Sequence, residues 1–270
     1  MSIIESNPIR LPVESLTPSI ETDVFAASPE ATFWIGVTAA NGEVMMPTEY
    51  AGAGVLRANV YIDEKGFLAD DERRPDGTEV DKDDERSTHF TVVENRLATD
   101  GIARVVGSGR LIHKRNKKDL LPVEQLFPEA FTTPAPVGSV EVSRFIARHP
   151  DKFTQSLISL SVIRAMALHC RNNGTEPAHA VIETGLARRF DMIGMDYEKL
   201  TELKMIDEYN TKNMAVRLDP SGIVEATKQD VKGEKLITSL FAPAVVEMDG
   251  IGYFDQTLIA PAPTSTPKVA

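Results

Sequence analysis

Two arginines in places where arginine is normally unwelcome constrain this chain more than anything else in it. Arg110 lies in Gly107-Ser-Gly-Arg110-Leu-Ile and Arg144 in Val140-Glu141-Val-Ser143-Arg144-Phe145, apolar stretches that both read as strands. A guanidinium drawn into such structure costs on the order of several kcal/mol unless a carboxylate meets it. The run Gly77-Thr-Glu79-Val-Asp81-Lys-Asp83-Asp84-Glu-Arg-Ser87-Thr88-His89-Phe90 can supply that charge. Residues two apart share a face of an extended segment, so Glu79 points with Asp81 and Glu141 with Ser143, while Arg144 faces away from Glu141. Bringing Glu141 and Arg144 into one site therefore needs a bulge near Val142–Arg144. A strand splayed there frees backbone N–H groups for a developing oxyanion. The competing reading is a set of surface ion pairs worth about 0–1 kcal/mol each.

The order of elements is that of an α+β chain with a mixed sheet. A helix is expected from Thr48, where Val55, Leu56, Val60 and Tyr61 recur at helical spacing; Ala51–Gly54 has no strand before it and is not read as a phosphate cradle. A charged loop from Ala69 to Arg86 leads into strands His89–Leu97 and Ile102–Ile112, with Ala98-Thr-Asp100-Gly101 as their hairpin turn. Gly107 and Gly109 mark a bend or a close approach in the second strand. Then come a short apolar segment from Leu120 to Phe127, strand Ser139–Ala147, a long helix Phe153–Cys170 and strand Ala178–Glu183. A short helix Gly185–Met192, strand Asn213–Leu218 and a helix starting at Asp219 complete the reading. Residues 48–245 form the expected domain. Residues 1–47 form an extension whose island Phe33–Val37 is an added strand or a lid, and residues 246–270 a tail, disordered at its end.

Composition removes several function classes. A net charge of -11 argues against non-specific nucleic-acid binding, with one local exception in the basic turn His113–Lys118, which is either a solvated loop or a docking site. The single Cys170 excludes an internal disulfide and reads as packing, and the five histidines show no zinc spacing, so no metal is expected. No apolar stretch is long enough to span a bilayer and the N-terminus lacks a secretory pattern, so the chain is expected to be cytoplasmic.

Set in order, Leu56-Arg57, Tyr61, Phe67, Glu79-x-Asp81-x-x-Asp84, Gly107-x-x-Arg110-Leu, Leu120–Phe127 and Glu141-x-Ser143-Arg144-Phe145 resemble the acyl-homoserine-lactone synthases, the autoinducer synthases. They also resemble the related N-acyl amino acid synthases. The likeness runs from residue 48 to about 200, through Leu186-Ala-Arg188-Arg189-Phe190. It implies an α+β, three-layer fold like that of the Gcn5-related N-acetyltransferases, with a largely antiparallel mixed sheet splayed or bulged near Val142–Arg144. Phe67 stands where the lactone synthases usually carry tryptophan, and the loop Ala69–Asp76 is longer than theirs. Asp84–Phe90 and Leu121–Pro128 look more like the amino-acid-acylating branch.

The implied activity is transfer of a fatty acyl group from a thioester to the primary amine of an amino acid or similar acceptor, with no permanently bound cofactor. The alternatives are a lactone synthase using S-adenosylmethionine and a non-catalytic acyl- or lipid-binding relative. By the resemblance, Glu79 would be the base through a relayed water, Glu141 and Arg144 would orient acceptor and thioester, and Arg57, Asp81 and Arg110, with Asp84 close by, would frame the pocket. Tyr61, Phe67, Phe127, Ser143 and Phe145 complete the implied substrate-binding set, with Phe145 backbone amides at the oxyanion. Coenzyme A users cradle a pyrophosphate with a glycine-containing turn after this strand. Here Arg148–Gln155 has no glycine, which favours acyl carrier protein as partner and donor over acyl-CoA. Lys114, Arg115, Lys117, Lys118, Arg148 and Lys152 are the candidate docking cations for that acidic partner.

Overall fold

In this computed structural model the described residues are 10–12, 33–39, 48–94, 102–175, 177–192 and 194–229. In chain order they form β1 (Arg10–Pro12), β2 (Phe33–Ala39), α1 (Thr48–Ala58), β3 (Ser87–Glu94), β4 (Ile102–His113), α2 (Pro122–Leu126) and β5 (Val140–Ala147). α3 (Lys152–Asn172), β6 (Ala178–Glu183), α4 (Thr184–Met192), β7 (Tyr197–Lys199), β8 (Lys204–Ile206), β9 (Thr211–Leu218) and α5 (Pro220–Gln229) follow. One sheet takes the order β2-β3-β4-β5-β6-β9-β7, with β1 on β4 and β8 on β9. Every pairing is antiparallel except β5 with β6. The island at Phe33–Val37 is thus an added strand, paired with β3 from Phe33↔Glu94 to Ala39↔Thr88. The proposed turn at Ala98–Gly101 and the tail 246–270 lie outside the described residues.

Period-two alternation along β4 divides the molecule into layers. Gly107 and Gly109 face α3, where a Cβ would come within 2.9 Å of Ile158 and 2.8 Å of Val162. Arg110, between Gly109 and Leu111, faces the other side, toward α1 and the acidic loop. Missing side chains at two consecutive inward positions let α3 lie close on the sheet, which is why both residues are glycine. The main core fills this interface with Phe90, Val92, Leu111, Ile158, Val162 and Met166 among others. Gly109→Ala should therefore destabilise the fold by about 1–3 kcal/mol through overpacking, measured by urea denaturation. An unchanged midpoint would mean that α3 is not seated as described.

A second, smaller core lies on the opposite side, where Ile112, Leu121, Val123, Phe127, Ala135, Ile206 and Ala215 pack together. The Leu120–Phe127 segment is helical at its centre because Pro122 takes the first position and Glu124 folds back to accept the Leu121 N–H at 2.7 Å. This core places α2 against the N-terminal half of β5, beside the residues described next.

Candidate active site

α1 ends in Arg57, the acidic loop carries Glu79, Asp81 and Asp84, β4 carries Arg110 and β5 carries Arg144. Folding brings all six together. Arg57 makes a two-pronged bond to Asp84 (2.8 and 3.0 Å) and also donates to Glu79. Arg110 reaches Asp81 (2.7 and 3.0 Å), Asp84 (2.7 Å) and Ser143 Oγ (3.3 Å). Arg144 closes the ring onto Glu79 (2.9 Å) and Asp81 (3.1 Å). Three cations and three anions cancel, and the planar forks supply the bidentate geometry that makes burial of such charges tolerable. Burial alone would push the acids' pKa values up. Arg57 and Arg144 outweigh that at Glu79, Arg110 does so at Asp81, and Arg57 and Arg110 do so at Asp84, so all three are held below the usual carboxylate range.

Arg144 enters this ring through a backbone irregularity. Its φ is 52°, a left-handed conformation that costs a non-glycine residue about 1–3 kcal/mol. The register on β4 passes from Arg110↔Ser143 to Ser108↔Ile146, so β5 carries one extra residue there. The bulge turns Arg144 to the side that already holds Glu141 and Ser143. On its other edge β5 pairs with β6 only from Val140↔Ala178 to Val142↔Ala180, and then the two parallel strands diverge. A cavity of about 400 Å³ opens in the gap, lined among others by Tyr61, Phe67, Glu141, Arg144, Phe145 and Ile182. Phe67 stacks on Tyr61 with ring centroids 6.2 Å apart, Tyr61 lies under the Arg144 guanidinium at 5.2 Å, and its hydroxyl donates to the Phe145 carbonyl at 3.3 Å. Tyr61 is aimed there by a π-helical turn, Asn59–Glu64, that follows α1.

Glu141 is the exceptional acid. It is 3 % exposed, lies in the cavity wall, and accepts one backbone bond, from Val123 N–H at 2.7 Å. Burial pushes its pKa up to about 8, only partly offset by that bond and by Arg110.

Several of the residues singled out in the sequence lie together at the cavity. Tyr61, Phe67, Asp81, Arg110, Ser143 and Phe145 line the cavity with Glu141 and Arg144. Others do not. Arg57, Glu79 and Asp84 are 2 % exposed or less and stand behind the wall, where they frame the site without touching its contents. Phe127 is no substrate contact: it is fully buried in the second core, beneath Lys204. Lys114 is no docking cation either, since its side chain is 0 % exposed and its ammonium is bound to both oxygens of Glu124, at 2.8 and 2.7 Å. The remaining basic residues divide. Arg115, Lys117 and Lys118 are exposed beyond the N-terminal end of β5, whereas Arg148, paired with Glu64, and Lys152 follow its C-terminal end. A strand of eight residues separates the two groups by roughly 25 Å, so they do not form one patch.

Residues 56–158 match the family model of the acetyltransferase (GNAT) domain. The chain has a GNAT-like fold. Solved structures with this GNAT fold include the acyl-homoserine lactone synthase BjaI with SAM and isopentyl-CoA, at 20 % identity and TM-score 0.59, covering 84 % of this chain and 97 % of that one. The lactone synthase LasI aligns at 20 % identity and TM-score 0.54, covering 70 % and 91 %. TofI, in a ternary complex with an inhibitor and MTA, aligns at 18 % and 0.55, covering 74 % and 99 %. No curated protein sequence matches the chain. Among the described residues no cluster could hold a metal ion, and no helix is long and apolar enough to cross a membrane.

The sequence offered Lys114 as a docking cation and named no partner for it. The buried Lys114–Glu124 pair was legible in principle, because Lys114 continues the 110, 112, 114 alternation on the face away from α3.

Proposed function

We propose that the cavity between β5 and β6 transfers a fatty acyl group from a thioester to the primary amine of an amino acid, with Glu141 rather than Glu79 as proton acceptor. The observation that carries this reading is Glu141 itself, a carboxylate in the cavity wall that burial tunes to about 8. A base is most effective when its pKa lies near the working pH. Glu79 has the opposite character, being out of reach of the cavity with its oxygens bonded to Arg57 and Arg144. The ionised Glu141 takes a proton from the attacking amine, the nitrogen adds to the thioester carbonyl, and collapse of the tetrahedral intermediate breaks the C–S bond. The departing thiolate takes up the proton that Glu141 holds, which returns Glu141 to its ionised form. Arg144 and the backbone amides of the bulge, where β5 has left β6, are the groups we assign to the developing oxyanion.

For the donor, α3 begins with Asp151, whose carboxylate accepts the Thr154 N–H at 2.7 Å. The helix N-terminus that would cradle a pyrophosphate thus already holds an anion of its own. This supports an acyl carrier protein as donor, with Arg148 and Lys152 beside the cavity mouth as docking cations. The lactone-synthase alternative rests on the fold of BjaI, LasI and TofI, of which BjaI is described as CoA-dependent.

Expression in a bacterial host followed by mass spectrometry of organic extracts separates the readings. N-acyl amino acids are expected; acyl lactones would favour the alternative, and copurifying lipid without a new product would mean a binding protein. With purified donors, Arg148→Glu combined with Lys152→Glu should lower kcat/KM for the acylated carrier protein by about tenfold or more at low salt while sparing acyl-CoA. An equal loss for both donors would refute the docking assignment.

A further inference from the structure

Lys114 and Glu124 touch nothing in the cavity, yet they are among the most enclosed charges in the molecule. Four hydrogen bonds converge on the Glu124 carboxylate: two from Lys114 Nζ, one from Leu121 N–H at 2.7 Å and one from Ala135 N–H at 2.8 Å. Lys114 is tied to the sheet, since its backbone N–H donates to Ser139 and its carbonyl accepts from Gly138. The carboxylate thus pins both ends of the 121–135 loop to the end of β4. Within that loop the residue just before Glu124 is Val123, whose N–H holds Glu141.

We infer that Lys114 and Glu124 are positioning residues, a buried strut that fixes the α2 turn so that the Val123 N–H meets Glu141 and thereby sets how that residue ionises. The inference rests on Glu141 being the proton acceptor, and it adds a determinant that lies outside the cavity. A residue carried on a loop of this length would otherwise drift by fractions of an ångström, enough to weaken a 2.7 Å bond steeply. The apolar contacts of Leu121, Val123 and Phe127 set the depth of the segment, but they are non-directional and do not orient one amide.

The test reads Glu141 directly. The full-length protein labelled with carboxyl-13C glutamate is titrated by NMR, the Glu141 signal being assigned with Glu141→Gln, and the pH profile of acyl transfer is recorded beside it. In Glu124→Gln the Glu141 midpoint should rise by about one unit, because a bond favouring the carboxylate is lost, and the rate profile should move with it. The double variant Lys114→Met with Glu124→Met, which removes the charges together, should recover thermal stability but not the Glu141 midpoint. Should Glu124→Gln fail to fold, the double variant alone decides. A variant that melts lower yet leaves the Glu141 titration unmoved overturns the inference, as does a double variant that restores both. The titration needs no substrate: if the midpoint shifts and no acyl product ever forms, the strut stands and the acyltransfer reading falls.

Discussion

Glu141→Gln should cut the rate of acyl transfer by about 10²–10⁴-fold while leaving the protein folded, the range expected when a positioned base is removed. Glutamine reproduces the shape of the neutral acid, and neutral is the form the buried site prefers, since Glu141 ionises only near pH 8. The sign of the linked stability effect follows. Between the unfolded value of 4.5 and about 8 the folded chain binds the extra proton, so this residue's contribution weakens as pH rises through that window. At pH 8.5 Glu141→Gln should therefore melt higher than wild type, and at pH 4 the two should coincide. Wild-type activity should increase through the same window. A variant that loses stability at pH 8.5, or keeps its full rate, would remove Glu141 from the mechanism.

The second large effect concerns the six-charge ring. Arg57→Met should lower unfolding free energy by about 3–5 kcal/mol, because the ring is left with three enclosed anions and two cations, Asp84 keeping only Arg110 and Glu79 only the partly exposed Arg144. Arg144→Met should cost less stability, since Arg144 is 15 % exposed and Glu79 keeps Arg57, but it should abolish turnover. Urea denaturation of both variants, with activity measured alongside, checks the contrast; equal destabilisation would mean the ring has no interior and exterior. Acid should open the wild-type protein in two stages. His89, His169 and His179 are buried neutral, their pKa values pushed by burial to about 3, 4 and 4, so stability falls as pH drops below 6.5. The lowered pKa values of Glu79, Asp81 and Asp84 then add a further loss below about pH 4. A midpoint that stays flat from pH 6.5 to 3 would contradict both.

The acid run and the two strand arginines disclosed the ring because burying a cation demands a nearby anion, a requirement that acts over any chain separation. The bulge at Arg144 was legible for a similar reason, since alternation set Arg144 and Glu141 on opposite faces and chemistry wanted them together. Strands β7 and β8, three residues each, left no periodic trace, and the helical centre of α2 was hidden in five residues behind a proline. Phe127 was misplaced because its neighbours Ile206 and Ala215 come from distant parts of the chain, so whether a phenylalanine faces solvent, ligand or core is decided by long-range packing. Lys114 was misplaced because its alternation along β4 was not followed past His113. The exchange of roles that we propose between Glu79 and Glu141 is subtler. Both are buried acids, and only the count of cations around each, two against none in direct contact, separates a structural carboxylate from a basic one.

The ring draws its members from positions 57 to 144, a span that crosses α1, the acidic loop, β4 and β5. Any partial assembly strands a bare charge in a greasy interior, so the last segment to arrive decides whether the others can stay. A nascent chain released before β5 has nothing to hold Glu79 and Asp81 in place from the cavity side, and a fragment ending at Ala135 should remain unfolded however well its own helices and strands are written.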